Sequence, residues 1–108
     1  MKYNIVLTEQ TDSDLRGIYE YIAFTLLEPR IAASQLERIE NAILSLAELP
    51  NRFRVFEQEP WNSRGLCQMP VDNFSVFYIP KDEGKTVTII RVMYNGRDID
   101  EQLKKTEH

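Results

Sequence analysis

The chain has 108 residues, of which 43% are hydrophobic and 28% are charged, as expected for one small globular domain. No stretch approaches the roughly 18 consecutive apolar residues of a membrane span, and no signal-peptide core follows Met1. A single cysteine, Cys67, excludes an internal disulfide. These features predict one domain over residues 1–108, located in the cytoplasm, without a membrane partner.

The charges are unevenly distributed along the chain. The net charge of −4 argues against broad, nonspecific binding to nucleic acid. Residues 9–48 contain eight acidic and three basic side chains, whereas residues 49–108 contain nine of each. Any functional basic patch is therefore expected to be local and to lie in the second half.

The first half predicts a strand followed by a helical hairpin. Residues 2–8 are interpreted as a strand, and Thr11 is predicted to begin a helix because its hydroxyl can accept from a backbone N–H. Apolar residues at helical spacing form one stripe for each helix: Leu15, Ile18, Tyr19, Ile22 and Leu26, then Ala32, Leu36, Ile39, Ile43 and Leu46. Pro29 separates the helices and Pro50 ends the second, so the short joint predicts antiparallel packing.

The second half predicts a loop followed by three strands. Residues 50–62 show no clear period and are interpreted as a loop with a short extended piece at 54–56. The predicted strands are 64–69, 74–79 and 86–94, and Gly84 is expected to supply a positive φ in the second hairpin turn. Residues 98–108 predict either a short helix or a disordered tail.

This order of elements predicts an α+β fold. An N-terminal strand and a helical hairpin precede a three-stranded antiparallel meander, and one sheet packs on the helices. Alternation in the last strand places Val87, Ile89, Arg91 and Met93 on one face and Thr88, Ile90, Val92 and Tyr94 on the other. Both faces are largely apolar, so the face away from the helices is expected to be covered by a partner or left exposed.

Neither a metal site nor a cofactor is predicted. His108 is the only histidine, and Cys67 has no cysteine or histidine at ligand spacing. A histidine-dependent triad is excluded, and neither a phosphate-binding glycine loop nor a serine nucleophile motif is present. Cys67 is therefore interpreted as an inert side chain packed in a strand.

What remains is a set of cationic and phenolic side chains: Arg52, Arg54, Arg64, Arg91, Arg97, Tyr78 and Tyr94. Metal-free RNA cleavage needs a base for the 2′-OH proton, an acid for the leaving oxygen and cations for the phosphorane. Arginine can supply the cations, and tyrosine can assist proton transfer. A structural role is equally open, because Arg91 can pair with Asp98 or Glu101 and the tyrosines can form core edges.

Five local motifs, in order, resemble the RelE/ParE toxins of type II toxin–antitoxin systems, which include plasmid stabilisation proteins. Asp14–Ile22 matches the family pattern D-L-x-x-I-x-x-Y-I, and Ile43, Leu46 and Pro50 match the end of its helical hairpin. Arg64-Gly65-Leu66 stands at the entry to the central strand, and Phe74–Tyr78 matches the strand that follows. Ile90–Asp98 matches the arginine-rich end of the last strand, with Tyr94 in the usual place of a histidine.

The resemblance is greater to the ParE-like branch than to the ribonucleolytic one. Ribonucleolytic RelE members usually carry an arginine where this chain has Ser75, and they tend to be strongly basic. The resemblance implies a target-binding site, or the catalytic residues of a ribonuclease, at Arg64, Arg91, Tyr94 and Arg97. It also implies an antitoxin that wraps the toxin, for which the candidate contacts are Tyr21, Leu27, Ile31, Ile89 and Met93.

Three functions follow from the resemblance. The favoured one is a toxin that inhibits growth by binding a cellular protein, with DNA gyrase as the first choice, and that is neutralised by a cognate antitoxin. The second is a metal-free ribonuclease that cleaves mRNA on the ribosome. The third is a non-toxic relic that only binds its antitoxin. The main assembly is expected to be the complex with the antitoxin, and a homo-oligomer is compatible with the same surfaces.

Overall fold

The computed structural model describes residues 2–96 and 98–106, and within them one four-stranded sheet lies between two groups of helices. The strands are β1 (Asn4–Leu7), β2 (Cys67–Val71), β3 (Phe74–Lys81) and β4 (Thr86–Tyr94). The helices are α1 (Glu9–Glu20), α2 (Pro29–Ser45), α3 (Trp61–Arg64) and α4 (Ile99–Lys104). None of these helices is long and apolar enough to cross a membrane.

The sheet confirms the predicted α+β architecture. Its strand order is β1-β4-β3-β2, and β2, β3 and β4 form the antiparallel meander. β1 pairs parallel with β4, so that Asn4 lies opposite Thr86. Parallel neighbours need a crossover connection, and here the chain between them includes the helical hairpin and the other two strands.

The helical hairpin begins earlier than the sequence predicted. Thr8 rather than Thr11 caps α1, and its hydroxyl oxygen accepts from the Thr11 N–H at 3.1 Å. Thr11 is buried instead, and its hydroxyl donates to the carbonyl of Ile89 at 2.8 Å. α1 continues into a π-helical turn, Tyr21–Thr25, and Leu27 takes a φ of 58° before Pro29 begins α2.

The predicted strand at residues 64–69 is wrong at its start. Arg64 ends α3, and Gly65 follows in the left-handed conformation with a φ of 79°, so β2 begins only at Cys67. A short helix therefore occupies the end of the predicted loop. The extended piece at residues 54–56 is confirmed, because Val55 forms a bridge with Cys67 along the outer edge of β2.

A β-bulge changes the predicted faces of β4. Phe77 pairs with Arg91 but Tyr78 pairs with Ile89, which leaves Ile90 as an extra residue in β4. The alternation shifts by one residue at this point. Ile89 therefore faces α1 and α2, whereas Met93 faces the opposite side with Ile90, so the prediction that Ile89 and Met93 share a face is wrong.

The second face of the sheet is covered by the chain itself. Trp61 and Leu66, together with Leu103 from α4, pack on the strand residues Phe77, Ile79, Ile90 and Met93. Phe56 and Ile99 add partly buried contacts to this cluster. The expectation of a partner or an exposed apolar surface on this face is therefore corrected, because the loop and the C-terminal helix bury it.

Cys67 provides a test of this packing. Its side chain is buried, its Sγ donates to the Gly65 carbonyl at 3.6 Å, and burial raises the pKa of the thiol. Because the thiolate is the reactive form, iodoacetamide at pH 8 should leave the folded protein unmodified and should label it fully in urea, as read by mass spectrometry. A cysteine peptide under the same conditions controls for the reagent, and rapid labelling of the native protein would contradict this packing.

Candidate functional site

Arg91, the candidate cation in β4, is committed to a buried ion pair. Its Nε and Nη2 donate to the two carboxylate oxygens of Asp14 at 2.7 and 2.9 Å, and its Nη1 donates to the hydroxyl of Thr106 at 3.0 Å. Only 6% of Arg91 is exposed. The bidentate geometry matches the planar guanidinium to the carboxylate and fixes its orientation.

The ion pair joins three parts of the fold. Asp14 lies in α1, Arg91 lies in β4, and Thr106 follows α4 and donates in turn to the carbonyl of Gln102 at 2.8 Å. Asp14 also accepts from the backbone N–H of Val92 at 3.0 Å. Arg91 thus pairs neither with Asp98 nor with Glu101, the local carboxylates that the sequence suggested, but with one 77 positions away.

Tyr94 is half-exposed, with 51% of its surface accessible. Its ring packs edge-on against Phe74, with 5.7 Å between the ring centroids. Phe74 belongs to the cluster that faces α1 and α2, so Tyr94 lies at that side of the sheet.

Arg64 lies on the other side of the sheet, away from Tyr94. Its guanidinium stacks over the ring of Trp61, 4.9 Å from the centroid, and Trp61 belongs to the second-face cluster. The structure thus does not bring Arg64 and Tyr94 into one site. Arg97, the fourth candidate, lies outside the described residues.

Ser75, contrasted above with the arginine of ribonucleolytic RelE members, belongs to a neutral hydrogen-bond network. Ser75 is buried, accepts from the Gln68 amide at 3.1 Å and donates to the Asn95 side-chain oxygen at 2.6 Å. Two further candidates, Arg52 and Tyr78, have structural partners: Arg52 donates to Ser45, and Tyr78 donates to the Pro50 carbonyl at 2.7 Å. Arg54, the remaining candidate cation, is exposed in the loop before α3. The residues described by the structure also contain no group of three His, Cys, Asp or Glu side chains that could hold a metal ion.

An apolar groove of about 810 Å³ runs between the helical hairpin and the end of the sheet. We call it the hairpin groove, and its apolar lining consists of Ile18, Tyr21, Ile22, Leu26, Ile31, Phe74, Val92, Met93 and Tyr94. A concave surface with a mostly apolar lining is typical of a binding site.

The candidate antitoxin contacts divide into accessible and buried residues. Tyr21 and Ile31 line the hairpin groove and are exposed, and Leu27 is exposed at the tip of the hairpin. Ile89 is fully buried at 0% exposure, so its side chain is not available to a partner, because the bulge directs it into the main core. Met93 borders the groove, but its side chain belongs to the cluster on the opposite face of the sheet and is almost completely buried.

A polar cluster lies at one end of the hairpin groove. The Asp72 carboxylate accepts from Arg38 at 2.8 Å and from the Gln35 amide at 3.0 Å, and these hydrogen bonds lower the pKa of Asp72. Gln35 also lines the groove. No sequence pattern indicates this cluster or Asp14 as the partner of Arg91, because both depend on contacts between distant segments.

The buried ion pair should be essential for stability. Replacing Arg91 with alanine leaves the Asp14 carboxylate buried without its partner, which should cost about 3–5 kcal/mol of unfolding free energy. Urea denaturation followed by circular dichroism measures this loss. Asp14→Ala should cost a similar amount, and the double variant should cost less than the sum of the two.

Arg38→Ala is the matched control, because the Arg38–Asp72 pair has the same chemistry but is exposed. It should change the unfolding midpoint only slightly. If Arg91→Ala were as stable as Arg38→Ala, the ion pair would not hold the fold, and Arg91 would again be available as a functional cation.

Known proteins support the interpretation of this fold. A sequence model described as the ParE toxin of the type II toxin–antitoxin system parDE matches residues 5–99. Among curated proteins, none matches this chain closely enough to count as a relative.

Several solved structures share the fold. A chromosomal ParDE system from P. aeruginosa is 22% identical with a TM-score of 0.70, and the match covers 86% of this chain and 96% of that one. The toxin–antitoxin complex RelBE2 from Mycobacterium tuberculosis is 24% identical with a TM-score of 0.62, over 87% and 99% of the two chains. A variant of the E. coli toxin RelE in the free state is 14% identical with a TM-score of 0.66, over 98% and 95%.

Because each of these structures is less than 25% identical to this chain, the structural matches establish the fold alone. The family model, in contrast, matches most of the sequence. By that match, over residues 5–99, the chain belongs to the ParE toxin family of type II toxin–antitoxin systems.

Proposed function

We propose that this protein inhibits growth in the cytoplasm by binding a cellular protein, DNA gyrase, and that a cognate antitoxin neutralises it. The observation that carries the proposal is the buried ion pair of Arg91. Its donors are taken by Asp14 and Thr106, so the cation that a ribonuclease would direct at a phosphorane is engaged in holding the fold.

The surroundings of Arg91 support a binding role over RNA cleavage. Ser75 and its neutral partners stand where a second cation would be needed, and Arg64 lies across the sheet from Tyr94. RNA binding depends on cations that meet phosphates, and the net charge of this chain is −4. A protein target places no such demand on the site.

The hairpin groove supports neutralisation by an antitoxin segment. Apolar side chains of a partner can bury against Tyr21, Leu26 and Ile31, which are exposed in the free chain. Recognition of this kind is typical of an amphipathic helix seated in a groove. Glu20 and Glu28 lie near the tip of the hairpin, so positive charge on the partner segment would favour binding.

The test is tightly controlled induction in bacterial cells that carry a DNA-damage reporter, combined with a supercoiling assay on purified gyrase. Growth arrest with a strong reporter signal and inhibition of supercoiling are expected. Arrest with a silent reporter would overturn the gyrase target and favour cleavage of mRNA. The absence of arrest would favour a relic that only binds its antitoxin.

Ile31→Gln should separate toxicity from neutralisation. Ile31 is 54% exposed, lines the groove and lies in α2, where glutamine has a good helix propensity. The variant should fold and arrest growth normally, but co-expressed antitoxin should rescue growth less well. The measurement is the antitoxin dose that restores half of the growth rate, which should rise severalfold because apolar burial is lost.

Leu44→Gln provides the control for this experiment. Leu44 is 62% exposed on the same helix but does not line the hairpin groove. Leu44→Gln, like Ile31→Gln, replaces an exposed aliphatic side chain of α2 with glutamine. Equal loss of rescue in both variants would assign the effect to the helix in general and would contradict the assignment of the groove.

A further inference from the structure

Tyr94 belongs to two surfaces at once. Its ring lines the hairpin groove, and its backbone ends β4 and leads directly into the turn at Asn95 and Gly96. The groove is the surface proposed for the antitoxin, and Tyr94 is itself one of the residues suggested for target binding. One half-exposed aromatic ring therefore stands at the boundary between the two.

The position of the ring depends on Gly96. A Cβ built on Gly96 would lie 3.0 Å from Cδ2 of Tyr94 and closer still to its Cε2, so any side chain there would displace the ring. Gly65 and Gly84 have positive φ values, but the φ of Gly96 lies outside the left-handed region. Glycine at position 96 thus leaves space for the ring, and its φ alone does not require glycine.

Hydrogen bonds hold the rest of the turn in place, so the backbone next to the Tyr94 ring is fixed. The Asn95 N–H donates to the carbonyl of Asn73 at 2.9 Å, and the Asn95 side chain accepts from Ser75 at 2.6 Å. The ring also contacts Phe74, which lines the groove as well. The ring therefore has Phe74 and the backbone of Gly96 as neighbours.

We propose that Gly96 is a positioning residue that holds the Tyr94 ring as a common wall of the hairpin groove and the 94–96 turn. A segment bound in the groove and a target bound at the turn would then contact the same ring, and each would disfavour the other. The identities of the two occupants rest on the proposed function. The coupling between groove and turn rests only on the contacts of Tyr94.

The coupling can be measured on the full purified chain without either partner. The apolar dye 1-anilinonaphthalene-8-sulfonate serves as the probe of the groove, and the amide signal of Asn95 in nitrogen–proton NMR spectra reports on the turn. In the wild type, the dye should bind and should shift the Asn95 signal, because the occupied groove contacts the Tyr94 ring.

Gly96→Ala should reduce the shift of the Asn95 signal at least threefold while the melting temperature stays within the error of the wild type. In a Tyr94→Ala background, adding Gly96→Ala should change nothing further, because the ring through which Gly96 acts is gone. Leu44→Gln, remote from groove and turn, should give the wild-type shift. Circular dichroism confirms that each variant is folded.

Three results would overturn the proposal. The first is an unchanged shift in Gly96→Ala, and the second is an equal effect of Gly96→Ala with and without the Tyr94 ring. The third is a wild type in which the dye fails to bind or leaves the Asn95 signal in place. Failure of the wild type to inhibit gyrase would instead overturn the proposed target, and the dye experiment would still decide the coupling.

Discussion

The rest of the structure depends on the ion pair between Arg91 and Asp14. It joins the first helix to the last strand across 77 positions, and through Thr106 it also holds the C-terminal segment. A buried, unpaired charge is costly, so neither side chain can serve elsewhere without loosening three elements together. Because Arg91 is held in this ion pair, its charge is not available on the surface of the protein. Stability and the proposed function are thereby linked, because the arginine considered as a ribonuclease cation is the residue that closes the fold.

The hairpin groove and the turn after β4 differ in polarity. Apolar area is concentrated along the helical hairpin, whereas the turn is polar and anchored to Asn73 and Ser75. Burial of apolar area favours association, which suits the antitoxin segment proposed for the groove. Tyr94 lies between these surfaces and has the aromatic, half-exposed character that is enriched at protein interfaces.

The sequence was sufficient for the order and type of the main elements, because the stripes of α1 and α2 and the apolar strands have clear periods. It failed where tertiary contacts decide the outcome. Alternation could not reveal the bulge at Ile90, which moved Ile89 and Met93 to opposite faces, or the covering of the second face by Trp61 and Leu103. Local spacing likewise suggested Asp98 or Glu101 for Arg91, and the role of Gly96 required the position of the neighbouring ring.

The parallel pairing of β1 with β4 has a consequence for synthesis of the protein. Residues 4–7 find their partners only at residues 86–89, so the contact order of the sheet is high and its closure is slow compared with formation of the helical hairpin. While the nascent chain is still emerging from the ribosome, the hairpin can form but has no completed sheet on which to bury its apolar stripes. The native surface therefore arises only after β4 has been translated, and a chain truncated before β4 would leave those stripes open to aggregation and proteolysis.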